Sequence, residues 1–401
     1  MKKNHRSRIA FVGAVTLLGC CLFILSGCKE EKGNTVFDLV TPGKPQPVID
    51  SLSPVGKALA AADDITLYGK NFSTSTSENY VYFNGKAAKV VKASATKLVV
   101  NSAVDTGDVA VKVSIAGAEL FSAALPYRLD IALETFGNFT PPATGVAATT
   151  PDATGNLYCN FLGAGVDIGI YVLSPNGTKR LFAPNQKITF WSSLKLGPGG
   201  TLYSARGASA VFKFGLTDSV SAPWVTGIGT IKDIDFDQNK YLWAGGNSTR
   251  LNCIKQDKSV TLIPFTGTVR ALRVFGNYLY FSALKDSAEK IFRATINNDT
   301  LGTVEEYFNI TSSVGSTYIG QALTFSSDGS LYIGTQSPMG IIVVAPDGSH
   351  KTPYSAYSSF LGTSISSLSW GPGDILYATT FEGNLLRIYT KKTGAPYYGL
   401  N

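Results

Sequence analysis

The chain has 401 residues, with 35 Lys and Arg against 28 Asp and Glu and only two His. Four of the basic residues (Lys2, Lys3, Arg6, Arg8) precede an uncharged run from Ile9 to Gly27, and residues 28–401 hold 31 basic and 28 acidic residues, a charge of +3. That balance excludes a basic patch for nucleic acid. With His5 in the same leader, the lone His350 excludes a His-rich metal site.

A basic start, an apolar stretch and a small-residue ending make residues 1–27 a secretory signal. A run of this length could also span a bilayer as an anchor. The ending Leu25-Ser26-Gly27-Cys28 favours the signal, because it resembles a bacterial lipobox. That resemblance implies an acylated Cys28 that holds the mature chain to outer-membrane lipid. Lys29-Glu30-Glu31 resembles the acidic export stretch of Bacteroidetes lipoproteins, which implies display on the cell exterior. Residues 28–45 are polar, carry Pro42, Gly43 and Pro45, and read as a flexible tether.

Residues 46–128 alternate apolar and polar positions between turn glycines, as a small β-sandwich does. Asn84-Gly85 between two strand-like runs predicts a tight hairpin, since a type I′ turn needs positive φ twice. Gly69-Lys70-Asn71-Phe72 and Phe83-Asn84-Gly85-Lys86-Ala87-Ala88 are similar to the G-x-N-F and F-G-G-x-x-A steps of IPT/TIG domains. The resemblance implies an immunoglobulin-like fold used as a spacer, with no ligand site of its own.

Residues 129–401 repeat. A leucine-aromatic pair recurs at Leu157-Tyr158, Leu202-Tyr203, Leu242-Trp243, Leu279-Tyr280, Leu331-Tyr332 and Leu376-Tyr377, at spacings of 45, 40, 37, 52 and 45. A turn precedes most pairs and a further strand comes after each. Repeats of this length with about four strands each predict a β-propeller, here of six blades. The pairs themselves read as blade core. Few residues remain after the last copy, so the strand-like Leu129 to Phe136 is predicted to supply that blade's outer strand and close the ring. The fold class is therefore all-β, an immunoglobulin-like sandwich followed by a six-bladed propeller. The propeller resembles the NHL group, and the combination is similar to Bacteroidetes lipoproteins found beside nutrient and glycan uptake systems.

Of five cysteines, only Cys159 and Cys253 lie in the folded part, and both read as buried thiols rather than a disulfide. Aromatic, amide and Arg side chains in the connections of one propeller face suit a sugar, which offers a C–H face for stacking and hydroxyls for hydrogen bonds. The candidate ligand-binding residues are Trp191, Arg206, Trp224, Asn247, Tyr318, Gln336 and Phe381. The expected role is non-catalytic binding of a polysaccharide, an oligosaccharide or another extracellular ligand, beside a TonB-dependent importer, with no cofactor and no metal. The alternative is a protein-interaction platform at the outer membrane. A calcium-dependent propeller hydrolase, implied by the likeness to lactonases, is the third reading. It is disfavoured because Asp233, Asp235 and Asp237 share one strand face while no other repeat offers a matching acid. The matching places hold Arg270 and Arg273 in the fourth repeat and Gln321 and Thr324 in the fifth.

Overall fold

The computed structural model describes residues 43–137, 144–164, 166–185, 187–188, 190–215, 219–337 and 340–400. The signal, Cys28, its acidic neighbours and nearly all of the tether lie outside the described residues, as does Asp218. Among the described residues no helix is long and apolar enough to cross a membrane.

The N-terminal unit is a sandwich whose strands run Val48–Ser53, Ile65–Lys70, Lys97–Asn101, Lys86–Ser94, Asn79–Phe83, Gly107–Ile115, Leu125–Asp130 and Lys57–Leu59 in hydrogen-bonded order. Lys86–Ser94 pairs on both sides and folds the array over a core of Leu67, Phe83, Leu98, Val100, Val111 and Val113. The expected hairpin is there: Asn84 and Gly85 have φ of 48° and 82°. Gly69 is required for a different reason. A Cβ on it would meet the Val48 carbonyl oxygen at 1.9 Å, so no larger residue fits between these two strands.

The rest is six four-stranded antiparallel blades, one of them with an added short strand, arranged around an axis. Their innermost strands are Thr144–Pro151, Ser193–Leu196, Asp233–Phe236, Thr268–Phe275, Ile319–Phe325 and Ile365–Trp370, numbered here as blades 1 to 6. The six leucines of the repeated pairs are all buried at the start of each second strand. They pack between neighbouring blades, where each fully buried side chain is worth about 1.5–3 kcal/mol.

The last blade is closed by the segment that comes after the sandwich. Leu133–Thr135 pairs with Leu385–Tyr389, with Leu133 opposite Ile388 and Thr135 opposite Leu386. The closing strand is shorter than the sequence suggests, because the sandwich's own last strand continues to Asp130. Tyr389 donates its hydroxyl to Glu134 at 2.7 Å, and the Arg387 guanidinium lies 3.9 Å from the Phe136 ring centre.

The sandwich also sits against the propeller. Leu59 and Ala61 join the core of blades 5 and 6, the Tyr357 hydroxyl donates to the Ala60 carbonyl at 2.7 Å, and Lys391 pairs with Asp63 at 2.6 Å.

Candidate functional site: the propeller mouth

Antiparallel blades put two kinds of connection at one end of the axis: those entering each innermost strand and those between second and third strands. At that end all six blades line one small cavity of about 30 Å³, through Thr149, Ser193, Lys232, Arg270, Gln321 and Ser366 among others. The hydrogen bonds across it are long in sequence and short in space. Lys232 Nζ of blade 3 donates to Gln321 Oε1 of blade 5 at 2.6 Å, and Gln321 Nε2 donates to Gln336 Oε1 at 3.1 Å. Arg270 of blade 4 makes a forked pair with Glu289, at 2.6 to 3.1 Å. Burial pushes the Lys232 ammonium below the usual lysine range, and the Arg270 charge acts in the same direction.

A second charged layer lies deeper. Arg273 is wholly buried and its Nη1 donates to Asp235 Oδ2 at 2.7 Å, while Lys195 Nζ stands 3.8 Å from Asp235 Oδ1. Below it the chain's own tail shuts the opposite end. Arg273 Nη2 donates to the Pro396 carbonyl at 2.8 Å, and the Tyr397 ring lies 4.2 Å from its guanidinium. The Trp370 backbone N–H donates to the Tyr397 hydroxyl at 3.0 Å, and Lys240 Nζ to the Tyr398 carbonyl at 2.7 Å. Gly399 packs so closely on blade 2 that a Cβ would meet the Leu196 carbonyl at 2.2 Å. The propeller therefore has one open end and one stoppered end.

The acidic strand has a structural task. Asp233 accepts from Ser193 Oγ of blade 2 at 2.6 Å and from the Leu272 N–H of blade 4 at 2.9 Å. Asp235 accepts from the Val274 N–H at 2.9 Å, and Asp237 accepts the Trp243 indole N–H at 2.9 Å. Each carboxylate ties inner strands or a turn together. Among the described residues no group of three or more His, Cys, Asp and Glu side chains could hold a metal ion. The axis carries Lys195, Lys232, Arg270 and Arg273 instead, the opposite of the oxygen cage that calcium needs.

The predicted contact residues divide. Trp191 is wholly buried between Phe212 and Phe214, at 5.2 and 5.4 Å, so its ring offers no face to a ligand. Trp224 lies within the outermost strand of blade 2, edge-on to Tyr203, and not in a mouth connection. The sequence points both to the mouth because a tryptophan beside a turn reads the same whether it faces out or in. Arg206, Asn247, Phe381 and Tyr318 do lie in connections at the open end, and Gln336 ends the second strand of blade 5 there. Arg206 is 5.3 Å from the Phe212 ring, and its Nε has no partner among the described residues. Tyr318 is half-buried against the blade 4–5 core, Asn247 is exposed, and Phe381 is 80% exposed. Sequence reasoning missed Lys232 and Arg270 as ligand candidates, and it placed Gln321 in a mouth segment, Tyr318 to Gln321, without singling it out. In sequence, Arg270 counts only as evidence against a calcium cage. Lys232 carries one available signal, a position immediately before an innermost strand. Phe190 and Phe360 are two further exposed aromatics in connections of this end.

Residues 47–128 match the model of the IPT/TIG domain. The chain carries an IPT/TIG domain followed by a six-bladed propeller. No curated protein matches it in sequence. Among solved structures it is similar to an auxiliary nutrient binding protein from Bacteroides thetaiotaomicron, at 13% identity and a TM-score of 0.51, covering 86% of this chain and 97% of that one. It is also similar to the calcium-binding protein regucalcin from Agrobacterium tumefaciens, at 15% identity and a TM-score of 0.50, over 64% of this chain and 95% of that one. A gluconolactonase from Xanthomonas campestris gives 13% identity and a TM-score of 0.50, over 64% and 89%. At these identities the likeness is one of fold.

Proposed function

We propose that this chain is a lipid-anchored, surface-exposed outer-membrane protein that binds a glycan at the open propeller mouth without transforming it. Cys28 carries the lipid, and the ligand is a poly- or oligosaccharide taken from outside the cell for import by a TonB-dependent partner. The observation that carries this reading is the asymmetry of the axis. One end is stoppered by the tail, and the other holds a polar floor of Lys232, Gln321 and Gln336 below exposed rings, Phe381 foremost. A sugar meets such a site with hydroxyls on the amides and its C–H face on the rings. The binding role is of the same class as that named for the Bacteroides structure. Non-catalysis is supported by His350, which sits exposed on an outer edge strand of blade 5, far from the axis residues in the blade order.

The test is a glycan array probed with the full chain in mild detergent, beside Phe381→Ala and Gln321→Ala. Binding of one glycan family, weakened in both variants at unchanged melting temperature, supports the reading. Binding of no glycan, or binding indifferent to both changes, sinks it.

A further inference from the structure

The cations of the axis are not partnered alike. Lys195, Lys232, Arg270 and Arg273 share it with the carboxylates of Asp233, Asp235, Asp237 and Glu289. Each of three cations has a carboxylate: Arg273 and Lys195 share Asp235, and Arg270 holds Glu289. Lys232 forms no ion pair among the described residues. Its ammonium is held across the axis by an amide oxygen alone, Gln321 Oε1. Asp233, next to it in sequence, accepts from Ser193 Oγ and the N–H groups of Ile234 and Leu272, so it and Glu289 act on the ammonium through their fields and not by contact.

A half-buried ammonium is costly to leave without a counter-charge in contact. The fold fixes this one in place all the same. The Lys232 backbone N–H donates to the Gly245 carbonyl, and its own carbonyl accepts from Ser192 Oγ at 2.7 Å. The cavity beside it is small: about 30 Å³ admits a few atoms and not a sugar ring.

We propose that Lys232 receives a carboxylate borne by the ligand, so that the glycan class is acidic, made of sugars of the uronate or sialate kind. This rests on the glycan-receptor reading above. The ring stays at the mouth among the exposed aromatics, and only its carboxylate enters. There it takes the place of Gln321 Oε1 on Lys232, with the Gln321 amide left free to donate. Arg270 stays on Glu289 and adds field rather than contact.

The experiment uses the full chain in mild detergent on an array of neutral, uronate-bearing and sialylated glycans. It adds one matched pair, an oligogalacturonate and its methyl ester, and a titration with inorganic phosphate. The expected result is binding of acidic glycans, with the matched ester bound about tenfold or more weaker if galacturonate is among them. Lys232→Gln should abolish the acid preference, and Lys232→Arg should keep it; both should melt like the parent. Phe381→Ala should weaken acidic and neutral ligands alike. Binding confined to neutral glycans, or an acid preference that survives Lys232→Gln, overturns this proposal and leaves the receptor reading standing. Phosphate bound as tightly as any glycan overturns it in favour of a free-anion site. Binding of no glycan overturns both.

Discussion

Cys159 and Cys253 lie in blades 1 and 3, both buried and both free. Burial pushes the Cys253 thiol up to about 12 and Cys159 well above the ordinary cysteine value, so neither is a thiolate at neutral pH. In a chain lacking residues 1–28, where these are the two cysteines, a maleimide should leave both unmodified in the native protein and label two equivalents after unfolding, read by intact mass. Arg273 gives a second expectation. Arg273→Met would strand Asp235 in the axis, and breaking such a pair costs about 3–5 kcal/mol, seen as a lower urea midpoint. Replacing Asp235 by Asn in the same background should recover part of it. Lys232 sets a pH dependence. Its acid form binds a carboxylate, and its value in the folded protein is lowered, so acidic-ligand affinity should be flat through neutrality. It should then fall as pH rises through a point below the normal lysine range. Lys232→Arg should move that fall to higher pH in a binding titration.

At the scale of elements, the closing strand decides whether the ring is one unit. Phe136 packs on Tyr377 at 5.5 Å, and its backbone N–H donates to the Leu385 carbonyl at 2.8 Å. Phe136→Ala should cost about 3–5 kcal/mol. Closure completes blade 6 and so the packing of blade on blade around the whole ring. Hydrogen exchange should therefore speed up in all six blades, and a loss confined to blade 6 would count against a cooperative ring. This strand was legible in sequence because the last repeat lacked an outer partner and one unassigned alternating run remained. Its length was not, since Leu125–Asp130 and Leu133–Thr135 form one apolar stretch broken only at Ile131-Ala132. The six repeated pairs were legible for a simpler reason: a buried leucine is needed at one place in every blade. The site was less so. Phe381 stood out by type and position in a connection, and Gln336 by type at a strand end. Trp191 stood out equally and is core, because the sequence around it does not record which way the ring turns. Lys232 matters through a partner 89 residues away, a relation that exists only after the blades close, and Arg270 through one 19 residues away that only the folding of blade 4 brings near.

At the scale of the whole molecule, the tail is a stopper and a brace together. Ala395 donates its N–H to the Phe325 carbonyl in blade 5, Tyr397 caps Trp370 in blade 6, and Tyr398 and Gly399 reach blades 3 and 2. Removing residues 394–401 should lower the melting temperature and expose Arg273, while a ligand bound at the mouth still contacts Lys232. Calorimetry and ligand titration of the truncated chain would read both. If ligand binding vanished although the truncated chain stayed folded, the two ends of the axis would be coupled rather than independent.

Only Ile131 and Ala132 separate the sandwich's last strand from the strand that closes the ring. Under the anchored-receptor reading proposed above, a long bound polymer would pull on the chain as mechanical load. With so short a link, tension would enter the propeller at the Leu133–Thr135 seam. The clasp of Asp63 on Lys391 and of Tyr357 on Ala60 lies beside that seam and would share the force. On that reading, the place where the ring is joined is also the place where the molecule is hung.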